Sequence, residues 1–162
     1  MQIASIDATA TVPGVAEALY QLQQLAYRLE AELIGFPDLP PLHETVEELA
    51  QLRETLLTVK DGSGALIGIL GWVCEDGQVD ICRLAIHPRH TRQGWGQRLL
   101  QALFEITAGT AATWSVTTAV ANTPALALYR KLGFVEQTRF HTAEGLALVS
   151  LGKISNSTSR SS

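Results

Sequence analysis

The segment from residue 55 to residue 86 restricts the fold more than any other. Three β-type apolar runs, TLLTVK, ALIGILGWVCE and QVDICRLAI, are separated by two turn signals, DGSG and DG. Short apolar runs joined by glycine-containing turns form hairpins, so this segment reads as an antiparallel meander. The apolar period then changes. Trp95, Leu99, Leu100, Leu103 and Phe104 recur at helical spacing, with Gln97, Arg98, Gln101 and Glu105 on the other side. TWSVTTAV returns to β-branched strand character. A right-handed crossover through that helix makes QVDICRLAI and TWSVTTAV parallel neighbours.

The flanks complete the architecture. QIASI reads as a first strand. Val15, Leu19, Leu22, Leu25, Ala26, Leu29 and Leu33 mark the apolar face of one long helix, which GFPDLPPL ends. Thr45 and Glu48 have capping-box spacing and open a short helix to about Arg53. Thr123 as cap, Pro124 at the first helical position and Gly133 just past Leu132 punctuate another. FVEQTRF and LALVSLG supply closing strands. The expected fold is α+β: a mixed, mostly antiparallel sheet with a central parallel strand pair and helices on both faces. Residues 1–153 fit one domain, and residues 154–162, ending in SNSTSRSS, read as a disordered polar tail.

The strand-to-helix turn RHTRQGWGQRLL carries the chemistry. Gly94 and Gly96 permit backbone shapes and approaches that a side chain blocks. Unpaired amides at the helix start, backed by the helix dipole, make an anion site. Arg89, Arg92 and Arg98 add positive charge. Four arginines and no acid fall between Ile81 and Phe104, although the chain carries a net charge of −4. A local patch in an acidic chain points to a small anionic ligand rather than a nucleic acid. The glycines alone fit equally a tight connection with solvated arginines. GxxxxGK[ST] is absent, and a dinucleotide GxGxxG would need glycine where Leu99 stands.

Other function classes find little support. Cys74 and Cys82 lack CxxC spacing, which fits a reducing compartment. MQIASIDATA has neither the basic start nor the apolar core of a secretory leader, and no apolar run approaches the roughly 20 residues of a membrane span. A cytoplasmic protein without membrane or nucleic-acid partners is expected. No set of His, Cys, Asp and Glu has metal-ligand spacing, and Cys82 reads as a buried strand cysteine.

RLAIHPRHTRQGWGQRLLQAL and ANTPALALYRKLGFVEQ, taken together, resemble the paired signature of the GNAT superfamily of acetyl-CoA-dependent N-acetyltransferases. The meander LIGILGWVCEDGQVDICRLAIHP is similar to that family's strands, so the resemblance covers roughly residues 55 to 140. It implies acetyl-CoA as co-substrate and acetyl transfer to a primary amine by direct attack. It also implies roles. Backbone groups of Leu84, Ala85 and Ile86 would hold the pantetheine arm. The turn Arg92, Gln93, Gly94, Trp95, Gly96 and Gln97 would wrap the pyrophosphate. Asn122 would contact the pantetheine region, and Tyr129 would be the general acid toward the departing thiolate. The family has Gln or Arg three residues before the first glycine, where this chain has Thr91. Arg92, one residue later, is positioned to compensate.

The base is left open. Asp80, on the strand leading to RLAI, is the first candidate, and Glu75 and Asp76 are its rivals. Asp76 fits DG turn chemistry. Tyr129 also fits a packing role, and Asp38, His43, Glu44 and Glu47 read as cap and surface polarity. His87 reads as a strand exit, His90 as an aid to the anion site and His141 as a loop residue. A non-catalytic acyl-CoA-binding or sensing domain is the alternative reading. The resemblance allows a homodimer, but no self-complementary patch specifies one. The amine acceptor is not written in these motifs.

Overall fold

The computed structural model describes residues 2–7 and 13–155, with side chains from Ala16 onward. Strands β1 (Gln2–Asp7), β2 (Thr55–Lys60), β3 (Leu66–Glu75) and β4 (Gln78–Ile86) precede β5 (Thr113–Ala119), β6 (Val135–His141) and β7 (Ala147–Ile154). Helices α1 (Pro13–Ile34) and α2 (Val46–Leu49) lie between β1 and β2, α3 (Trp95–Thr107) follows β4, and α4 (Thr123–Lys131) follows β5. The described strands form one sheet in the order β1-β2-β3-β4-β5-β7-β6. β1 through β4 are successively antiparallel, β4 and β5 are parallel, and β5-β7-β6 are antiparallel again. The fold is the mixed sheet expected from the sequence.

Two cores line its faces. On one side Leu99, Leu100 and Leu103 of α3 and Leu126 and Tyr129 of α4 pack on Leu70, Val79, Ile81, Val116 and Leu151. On the other, Leu19, Leu22 and Tyr27 of α1 and Leu49 of α2 pack on Leu56, Ile69, Ala85 and Ala119. The turns obey local chemistry. Asp76 and Gly77 both have positive φ, 52° and 79°, as a tight DG hairpin turn requires. Gly133, at φ 96°, closes α4 as read from the sequence.

Several expectations need correction. The Thr45–Glu48 capping box forms, but α2 stops at Leu49 rather than near Arg53. Asn122, not Thr123, caps α4, accepting from the Ala125 amide. His141 lies in β6, paired with Ala147. β7 runs through Ile154, one residue past the expected domain end, and Ser155 donates its amide to Ala112. The polar tail from residue 156 lies outside the described residues. Leu25, Leu29 and Leu33 are 46%, 43% and 53% exposed, whereas Gln23 of the same helix is buried. Val15 is described only by its backbone.

Gln23 is buried because of β4. Pairing between β3 and β4 slips at Gly71/Trp72, which face Arg83 and Ile81, so Cys82 is an extra residue. A bulge of one residue reverses the alternation of side chains. Ile81 therefore points into the α3-side core, while Arg83 points toward α1. There the Arg83 guanidinium bonds both oxygens of Glu54, at 2.7 and 2.8 Å, and both oxygens of Glu44, at 2.9 and 3.1 Å. It also donates to Gln23, whose own amide donates to Glu44 at 3.0 Å. Gly71 leaves the room: a side chain there would run into the Glu54 carboxylate and the Arg83 stem.

The Arg83 and Glu54 side chains are 8% and 10% exposed. Removing one member of such a buried pair strands the other's charge. Arg83→Ala is expected to lower unfolding stability by about 3–5 kcal/mol, read from urea denaturation.

Candidate active site

β4 and β5 pair only over Gln78–Ile81 and Thr113–Val116. Both strands continue, to Ile86 and Ala119, without further registered pairs between them. β4 stays paired to β3 as far as Ile86, so the parting opens on its β5 side. Main-chain groups of Leu84, Ala85 and Ile86 consequently line a wedge with no strand partner there. Side chains alternate about it: Leu84 and Ile86 toward α3, Ala85 toward α1.

The glycine turn lies at the mouth of this wedge. Gly94, at φ 81°, is left-handed, and the α3 start has no side-chain cap. The first amides of a helix have no intrahelical acceptor, so they remain donors backed by the helix dipole. Arg92 also adopts positive φ, 64°, and together with Gly94 it folds the main chain tightly around Gln93. Gly96 has a different purpose. A Cβ there would lie 3.2 Å from Leu128, so its absence lets α4 pack close to α3.

The remaining turn residues divide between core and surface. Trp95 is 6% exposed, a core residue whose indole N–H donates to Gln93 Oε1 at 3.2 Å. Gln93 Oε1 also lies 3.3 Å from His90 Nδ1. The Arg98 guanidinium lies 4.4 Å over the Trp95 ring, which holds its charge at the helix start. Arg89, Arg92 and Arg98 are exposed. Arg83 does not belong to this patch, since two carboxylates hold it on the other side of the sheet. Thr91 donates to the Pro88 carbonyl at 3.1 Å and so closes the preceding turn. His87 accepts the Arg89 amide, in keeping with its role as a strand exit.

Asn122 caps α4 just past the end of β5, and Tyr129 of α4 lies in the core that Leu84 and Ile86 also join. Asn122 is buried, and its side-chain oxygen is occupied by the helix cap, leaving the amide nitrogen as its donor. Tyr129 is 4% exposed and meets Phe134 edge-on at 5.4 Å. Burial, and then the charge of Glu30, hold its phenol above the ordinary tyrosine range. Tyr27 on α1 is raised likewise, by burial first and then by Glu30, with Tyr129 adding to the effect. The two phenols belong to cores on opposite faces of the sheet.

Asp80 is partly buried on the paired side of the wedge. Its Oδ1 accepts from Ser115 Oγ and, at 3.1 Å, from Gln78 Nε2. Glu75 and Asp76 are exposed at the hairpin turn. Cys82 is exposed rather than a buried strand cysteine. Desolvation of its sulfur, and then the Glu54 charge, push its thiol up to about 11. Asp38 and His43 pair with each other on the surface. Glu44 departs from its expected surface role, since it belongs to the Arg83 network.

Sequence reasoning overlooked Tyr27, Glu30, Glu54 and Ser115. An arginine inside an apolar strand was the available signal, because it demands buried acids. Burial also raises the Glu30 carboxyl. A cavity of about 430 Å³ on α1 is lined by Arg28, Ala31, Glu32, Gly35, Pro37 and Leu42, none of them a residue of the wedge. Among the described residues no group of three or more His, Cys, Asp or Glu is arranged to hold a metal, and no helix is long and apolar enough to cross a membrane.

Parallel strands that part beside an uncapped, glycine-led helix define the acyltransferase class suggested by the sequence. Residues 53–136 match the family model of the acetyltransferase (GNAT) domain, and the chain belongs to that family. It is 34% identical over 134 residues to the UPF0157 protein YqkA of Bacillus subtilis (strain 168), a match covering 83% of this chain and 38% of that protein. The chain thus spans well under half the length of this curated relative.

Among solved structures, it superposes on the ribosomal-protein-S18-alanine N-acetyltransferase of Escherichia coli with a TM-score of 0.73 and 21% identity, covering 95% of this chain and 93% of that one. The PaiA N-acetyltransferase of Thermoplasma acidophilum in complex with coenzyme A gives a TM-score of 0.73 at 16% identity, covering 95% and 99%. At these identities the likeness is one of fold.

The Cys82 thiol makes the electrostatics of the bulge measurable. Its alkylation by iodoacetamide should rise about tenfold per pH unit up to about pH 11, instead of levelling near the ordinary value of about 8.5. Mass spectrometry of the Cys82 peptide after timed pulses reads this rate.

Proposed function

We propose that the protein is an acetyl-CoA-dependent N-acetyltransferase that acetylates a primary amine by direct attack. The observation that carries this reading is the wedge between β4 and β5, opening beside the uncapped start of α3. Acetyl-CoA supplies an activated acetyl group as a thioester. The residues fit that molecule: left-handed Gly94 exposes the turn amides, three exposed arginines offer charge, and β4 offers unpaired main chain. In this reading the turn from Arg92 to Gln97 binds the pyrophosphate. Leu84, Ala85 and Ile86 hold the pantetheine arm through their backbone, with the Asn122 amide beside it.

The chain's own chemistry concerns two protons. An alkyl amine titrates near 10 and must shed a proton to attack, while the departing thiol titrates near 8.5. As the N–C bond forms and the C–S bond breaks, Asp80 takes the amine's proton and Tyr129 gives one to sulfur. Both groups then re-equilibrate with solvent. A phenol held above its ordinary range stays protonated, and so remains a donor, throughout the physiological range. Holding both reactants along one strand edge contributes as much as either proton transfer. Two unbridged cysteines accord with a cytoplasmic setting.

Release of thiol from acetyl-CoA should be measured against spermidine, tyramine, lysine and an alanine-terminated peptide. Turnover with at least one is expected. Thermal stabilisation by CoA without turnover would instead favour a binding or sensing domain. Gly94→Val should abolish the CoA-induced shift in Tm, and an unchanged shift would mean that the pyrophosphate binds elsewhere. Tyr129→Phe should lower kcat by about 10- to 100-fold, and the wild type should show no loss from tyrosine ionisation below about pH 10.

A further inference from the structure

We propose that Ser115 is a positioning residue for Asp80, fixing one carboxylate oxygen so that the other faces the amine. This inference rests on the reading of Asp80 as base. Asp80 and Ser115 are register partners in the parallel pair, one step before Ile81 and Val116, where the strands part. Trp114 and Val116 point into the α3-side core, so Ser115 between them faces the α1 side. Its hydroxyl donates to Asp80 Oδ1, on which the Gln78 amide converges from the same strand. Among the described residues no hydrogen bond engages Oδ2. The two donors therefore orient the carboxylate and leave one oxygen for chemistry.

Among the described residues the hydrogen bond of the Ser115 hydroxyl is the one to Asp80. The register partner of Ser115 on β7 is Gly152, which brings no side chain. The space above Gly152 is taken by Gln137, a neutral amide from β6 into which any side chain at 152 would run. On β3 the partner of Asp80 is Val73. The ionisable groups around the bulge are Cys82 and Arg83 with its two carboxylates, Glu54 and Glu44. Cys82, with its thiol at about 11, stays neutral over the working range, and Arg83 and Glu54 are bound to each other. Ser115 thus supplies the cross-strand donor to Asp80, removable by substitution and specific to one oxygen, beside the same-strand donor Gln78.

The test uses the full chain as wild type, Ser115→Ala, Ser115→Thr and Asp80→Asn. The Asp80 carboxyl is followed by carbon-13 NMR of Asp-labelled protein, its resonance identified by its loss in Asp80→Asn. Kinetics use acetyl-CoA and whichever of spermidine, tyramine, lysine or the peptide is turned over fastest. In Ser115→Ala, the Asp80 carboxyl resonance should leave its wild-type position, because its hydroxyl donor is gone. kcat should fall about tenfold with KM for the amine changed less than about twofold, and Ser115→Thr should recover most of both. If Asp80→Asn is inactive but Ser115→Ala keeps the wild-type carboxyl resonance and kcat, Ser115 positions nothing and the inference falls alone. If Asp80→Asn keeps full activity, Asp80 is not the base and the inference falls with that reading.

Discussion

The guanidinium of Arg83 is the point on which the sheet's arrangement depends. It lies one residue past the Cys82 bulge and draws together Glu54 before β2, Glu44 in the loop before α2, and Gln23 of α1. Two carboxylates on one guanidinium satisfy its donors but leave a net negative charge under the sheet's α1 face. Such a network adds little stability over an apolar core and imposes much on geometry, because every member must be in place at once. Its effect here is to hold β4 in a bulged course just where its partnership with β5 ends. Two of its members, Arg83 and Glu44, also act electrostatically on Tyr27 of the α1-side core.

Most of the frame could be read from the residues because the signals are local. The DG turn, the capping box, Gly133 and the change of period at Gly94 each depend on a few neighbours. The parallel pair followed from chain order and handedness. What could not be read was the outcome of competition between distant residues. The leucines of α1 share one side of the helix, yet only Leu19 and Leu22 of them are buried, because the covered face is turned toward Gln23, Tyr27 and Ala31. Arg83 decides it: it requires Gln23 inward, and Leu25, Leu29 and Leu33 are turned outward.

The candidate site was partly visible for the same reason. The turn, Asn122 and Tyr129 lie in contiguous motifs, whereas Ser115 meets Asp80 only through tertiary structure. The two glycines, which look equivalent in sequence, separate on physical grounds. Gly94 is needed for its backbone angle, Gly96 for the approach of Leu128. Thr91, the departure from the family pattern, is employed in holding the preceding turn closed. The positive charge of the segment is likewise divided, with three arginines facing solvent at the turn and one consumed inside the fold.

The brevity of the β4–β5 ladder has a mechanical meaning. Gln78–Ile81 and Thr113–Val116 are the seam between a block of four strands and a block of three. Along the rest of the seam the facing edges of β4 and β5 have no registered partner. An extended molecule laid into that gap, with its own donors and acceptors, completes the sheet as an absent strand would. Binding there sutures the two blocks, so occupancy and the cooperativity of the whole fold rise together.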